Sequence, residues 1–83
     1  MGKAGKALRR VLKTHSISQY HLATKMGIDR SNISRWVSEH RDPAAEAVFQ
    51  IRQALETINP SAASDFVHFY FYEPIDSEPR AEE

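Results

Sequence analysis

The chain has 83 residues, enough for one small domain, and 41% of them are hydrophobic, which limits the core it can bury. It has no cysteine, which excludes a disulfide scaffold and a thiolate metal site, and no apolar run approaches the ~20 residues of a membrane span. Eleven Lys/Arg and eleven Asp/Glu cancel overall but not locally: residues 1–58 carry ten basic against five acidic, and residues 59–83 carry one against six. Within residues 1–41 the balance is nine to two, which suggests a polyanion-facing body followed by an acidic tail.

Residues 3–14 place Ala4, Leu8, Val11 and Leu12 at helical spacing, with Lys3, Lys6, Arg9, Arg10 and Lys13 around the remaining surface. This is an amphipathic helix with a basic face, suited equally to solvation and to phosphate contact. The segment Gly2-x-x-Gly5-Lys6 faintly echoes a phosphate loop, but lacks the Ser/Thr, the longer spacing and the preceding strand.

Ser18 stands where a helix N-cap belongs, with Ile17 before it as a hydrophobic staple. The second helix puts Leu22, Ala23 and Met26 on one face and runs to about Met26. Gly27 then supplies the positive φ that ends a helix and turns the chain. Asp29 caps a third helix, from about Arg30 to Ser38, whose apolar stripe is Ile33, Trp36 and Val37. Its free face shows Arg30, Ser31, Ser34, Arg35 and Ser38, short polar and guanidinium groups that suit a DNA major groove.

Pro43 fits the first turn of a fourth helix with Asp42 as its cap, and Ala44, Ala47, Val48, Ile51, Ala54, Leu55 and Ile58 recur with a helical period. Residues 61–72 are ambiguous, because their run of Phe, Val and Tyr resembles a strand. A strand would make both faces largely aromatic. A helix gathers Ser61, Ser64, Asp65, His68 and Tyr72 on one side and Ala62, Ala63, Phe66, Val67, Tyr70 and Phe71 on the other. With Asn59-Pro60 as a start signal, the helix is favoured. Residues 73–83, with two prolines and five acids, are expected to be a disordered acidic tail.

The helix–turn–helix of residues 19–38 resembles the lambda-repressor/Cro-like (XRE) family of DNA-binding domains. Gln19 opens the second helix, Leu22-Ala23 forms the aliphatic–Ala pair, Gly27 is the turn glycine, and Ile28, Ile33 and Trp36 match core positions. Ser31-Asn32-Ile33-Ser34-Arg35-Trp36 looks like the family's S-x-I-S-x-W, and Arg41-x-Pro43 like its R-x-P; the match spans roughly residues 5–58. The Ile33-Ser34-Arg35-Trp36 run is also similar to that of phage CII activators. Two positions depart: Val37 stands where the family often has Glu, and Glu39 where it often has Gly. The exit from the third helix must therefore either extend or hold a non-Gly residue at positive φ.

The resemblance implies an all-α bundle of about five helices in residues 1–72 that binds double-stranded DNA, with its third helix in the major groove. Gln19 would hold a phosphate from the N-terminus of the second helix. Arg30 and Ser31 would meet base edges, Asn32 a base or a phosphate, and Ser34 and Arg35 bases one turn on, Arg35 bidentate to guanine. Ser38, His40 and Arg41 follow as phosphate candidates, and Lys25 suits either a contact to DNA or solvation.

Such proteins usually bind two half-sites as dimers. The aromatic block, with Phe66, Phe69, Tyr70 and Tyr72, is then the expected homodimer interface, while also closing the small core. Trp36 as a single-strand stacking platform is less consistent with its spacing than a core role. His15, His21, His40 and His68 lack the spacing of a zinc site, and no constellation supports catalysis. No cofactor, metal or small-molecule effector is expected, and the cytoplasm is the default location. The alternative is a protein-interaction module, an antitoxin or adaptor that has kept a helix–turn–helix. Its working surface would be the aromatic block and the tail.

Overall fold

The computed structural model describes residues 3–72, and the expected acidic tail, 73–83, lies outside them. Five helices follow one another: α1 Lys3–Thr14, α2 Gln19–Met26, α3 Arg30–Val37, α4 Ala45–Ile58 and α5 Pro60–Phe71. The ambiguous segment is thus a helix. Asn59 starts it, its Oδ1 accepting from the Ser61 N–H at 3.0 Å with Pro60 at the first helical position.

The core is a single cluster: Leu8, Val11, Leu22, Ile33, Ile51, Leu55 and Phe66 are fully buried, with Trp36 and Val37 beside them. Val37, the apolar residue at a position where Glu is common, therefore finds its partners inside. α2 packs on α3 and α4, while α1 lies between α3 on one side and α5 on the other. α5 is held to α1 and α4.

The fourth helix starts later than its sequence signals suggest. Ala44 is the N-cap, with no side-chain hydrogen bond, and Asp42 caps nothing. Pro43 is buried. The extended Ala44 (φ −69°, ψ 165°) carries the chain on past it, so the helix begins only at Ala45.

The first three helices end in the same way, and only one of the endings uses glycine. After α2, the Gly27 N–H bonds to the Thr24 carbonyl at 3.2 Å and the Ile28 N–H to the Ala23 carbonyl at 3.0 Å, with Gly27 at φ 72°. This is the Schellman pattern. It recurs after α1, where Ser16 (φ 54°) bonds to Lys13 and Ile17 to Leu12, and after α3, where Glu39 (φ 66°) bonds to Trp36 and His40 to Arg35. The exit from α3 thus takes the second of its two options: Glu39 adopts the left-handed conformation that glycine would favour.

Gly5 is no phosphate loop. It lies inside α1, where a Cβ would overlap the Trp36 carbonyl oxygen and stand 3.3 Å from the Trp36 carbonyl carbon. The missing side chain is what lets α1 lie directly on the end of α3.

A polar seam fixes α5 to the end of α1. His15 Nε2 lies 2.8 Å from Asp65 Oδ2, and Asn59 Nδ2 is 3.4 Å from His15 Nδ1. With Asn59 Nδ2 donating to Nδ1, the imidazole proton sits on Nε2 and is donated to Asp65. The residue that caps α5 is thereby also tied to α1.

Candidate nucleic-acid interface

α3 is built to bury one stripe and expose the other. Its N-cap is Asp29, whose Oδ1 accepts from the Ser31 N–H at 3.4 Å, and its negative charge suits the positive end of the helix dipole. Asn32 follows, with Nδ2 donating to the Asp29 carbonyl at 3.4 Å. Ile33, Trp36 and Val37 then turn inward. At 3.6 residues per turn, the side directly opposite that stripe carries Ser31, Arg35 and Ser38, with Ser34 beside them and Arg30 and Asn32 on the flanks. Arg30, Arg35 and Ser38 are exposed, and Ser31, Asn32 and Ser34 are half-buried. Trp36 is only 8% exposed and serves the core, not a stacking platform.

The segment after α3 folds back over its last turn. The N–H groups of His40 and Arg41 both reach the Arg35 carbonyl, at 3.0 and 3.3 Å, so Arg41 stays close to the exposed face instead of trailing away. Ser38 Oγ donates to the same carbonyl at 3.2 Å, and His40 Nδ1 lies 2.8 Å from Ser38 Oγ. With its proton so used, Ser38 accepts from the imidazole, and it meets a phosphate as a donor only by giving up the Arg35 bond.

Gln19 is half-buried on the first turn of α2, whose N-cap Ser18 accepts from the His21 N–H at 2.9 Å. Beside it Tyr20 is 70% exposed. Sequence reasoning missed this aromatic; the available signal was its place off the Leu22–Ala23 face. Lys25 is exposed on the same helix.

The basic face of α1 proves to be divided. Arg9 Nη1 donates to the Val37 carbonyl at 3.0 Å, and its Nη2 lies 3.4 Å from Glu39 Oε2. Arg10 instead lies over the Phe69 ring, 4.4 Å from its centroid. Arg9 and Arg10 therefore both make contacts within the fold itself, one to α3 and its exit and one to α5.

The expected aromatic interface also needs redrawing. Phe66 is 1% exposed and belongs to the chain's own core, so it has no surface to offer a partner. Tyr70 is half-buried and stacks on Phe66 at 6.1 Å, and Phe69 packs partly against the core under Arg10. Phe71, assigned inward by its helical spacing, is exposed along with Tyr72. Tyr70 is the last residue of α5 packed against the core, and Phe71 lies past it. Among the described residues no group of His, Asp or Glu could hold a metal ion, and no helix is long and apolar enough to cross a membrane.

A family model described as helix-turn-helix matches residues 8–61, about two thirds of the chain and both helices of the motif. The chain belongs to this helix-turn-helix family. It is the lambda-repressor-like (XRE) kind of domain, and families of this kind bind DNA and are not enzymes. The helix-turn-helix match ends at residue 61, so nearly all of α5 lies beyond it. No curated protein and no solved structure matches the chain.

Proposed function

We propose that this protein is a sequence-specific transcriptional regulator that reads double-stranded DNA with α3 in the major groove and binds as a homodimer. One observation carries the reading. The face of α3 opposite the core holds only Ser31, Ser34, Arg35 and Ser38, flanked by Arg30 and Asn32, without an acid or a large apolar group. Arg30, Ser31 and Arg35 set base preference. Gln19 and Arg41, with Ser38 and Asn32 as secondary contacts, hold the backbone and fix the register.

The protein should bind a duplex chosen from random sequences, and log affinity should fall linearly with log salt, by about 0.9 per phosphate contacted. Failure to bind any duplex at low salt, or equal affinity for all sequences, overturns the reading. The first result would instead point to an interaction module.

Dimerisation is proposed through the outer end of α5. Phe71 and Tyr72 are 63% and 72% exposed, next to half-buried Phe69 and Tyr70, and aromatics gathered at the surface in this way suit a contact with a second chain. Sedimentation at tens of micromolar should report twice the mass of the chain, and Phe71→Ala with Tyr72→Ala should return it to monomer. A monomer in the unaltered protein rules out this interface.

A further inference from the structure

We propose that Arg9 on α1 is a positioning residue for the recognition helix, setting its exit geometry and through it base selectivity, rather than a contact to the DNA backbone. The proposal rests on the reading of α3 as the groove-binding helix.

A helix leaves its last four carbonyls without partners inside it. For α3 these belong to Ser34, Arg35, Trp36 and Val37. The Ser38 N–H takes the first, His40 and Arg41 take the second, and the Glu39 N–H takes the third. Among the described residues no backbone N–H reaches the fourth. Arg9 does, donating from Nη1 to the Val37 oxygen across 28 positions of sequence at 3.0 Å. A cation there also suits the negative end of the helix dipole.

The second guanidinium nitrogen reaches the residue that departs from the family pattern. Glu39 holds φ 66°, a conformation that costs a side-chain-bearing residue energy and that glycine would take freely. Its carboxylate lies 3.4 Å from Arg9 Nη2, with the Glu39 side chain 19% exposed. One planar group thus grips two successive parts of the exit, the last helical carbonyl and the left-handed residue after it. Gly5, one turn earlier on the same side of α1, rests on the Trp36 carbonyl. α1 therefore meets α3 at both of its final peptide units. Base selectivity depends on the rotation and depth of Arg35 in the groove, and Arg35 lies one turn before this clamp.

Lysine keeps the charge but presents no planar fork, so it cannot make both contacts. That separates the two roles. The measurement is affinity for the selected duplex and for an unrelated duplex, at several salt concentrations. It compares the unaltered protein with Arg9→Lys, Arg9→Gln, Glu39→Gln and Arg9→Gln/Glu39→Gln, each checked for helical content.

A positioning role predicts that Arg9→Lys and Arg9→Gln each lower specific affinity by about five- to tenfold, a charged hydrogen bond discounted for its exposure. Affinity for the unrelated duplex stays within twofold under Arg9→Lys, the salt slope is unchanged, and Glu39→Gln has less effect once Arg9 is gone. If Arg9→Lys retains full specific affinity, or if Arg9→Gln makes the salt slope shallower by about 0.9, Arg9 is a phosphate contact and the proposal fails. Should Arg9→Gln unfold the chain, Arg9→Lys alone decides. An unaltered protein that binds duplex DNA without preference overturns the groove reading itself, and this proposal with it.

Discussion

Replacing Gly5 by alanine is expected to destabilise the protein by ~1–2 kcal/mol and to disturb the exit from α3, although alanine is the better helix former. In an exposed helix interior the exchange would gain about 1 kcal/mol. Here the new methyl meets the Trp36 carbonyl oxygen, a backbone atom that no rotamer change can move aside. Either α1 lifts from α3 or the end of α3 shifts, and overpacking of this kind costs ~1–3 kcal/mol, occasionally more. Thermal unfolding should fall by about 4–8 °C for each kcal/mol lost in a domain of this size. A midpoint equal to or above that of the unaltered chain would show that the two helices can separate at no cost.

The second large effect is expected at Arg35, and it should leave the fold alone. Arg35 is exposed on the side of α3 opposite the core. Arg35→Ala should therefore keep stability within about 0.5 kcal/mol. Its loss should cost ~1–3 kcal/mol of specific affinity, roughly five- to 150-fold, and relax preference at one base pair. Site selection repeated with the variant would show which position loses its guanine. Unchanged affinity and unchanged preference together would remove Arg35 from the reading set.

The helix–turn–helix was legible because its signals are local. Ser18, Gly27 and Asp29 act within a few residues of themselves, and each does in the structure what its chemistry implies. The inward stripe of α3 follows from its period alone. What the sequence hid was set by distant partners. Gly5 carries no local signal of its role, because nothing near it in sequence announces the Trp36 carbonyl. Arg9 suits solvation and phosphate contact equally when read locally, because Val37 and Glu39 lie 28 and 30 positions away. Phe66, Phe69 and Phe71 have similar composition, and only the place where the core runs out under α5 separates the buried from the exposed. At Asp42-Pro43 the local cap signal was present and lost to the burial of proline.

Trp36 has a practical consequence. It is the only tryptophan in the chain, it lies in α3, the proposed recognition helix, and its own carbonyl is the atom Gly5 makes room for. The indole is almost fully withdrawn from water. The intrinsic fluorescence of the protein is therefore a local gauge: its emission registers how firmly α3 is seated. If that helix came loose while α1, α4 and α5 stayed packed, the light would shift to the red before the bulk of the helical signal was lost.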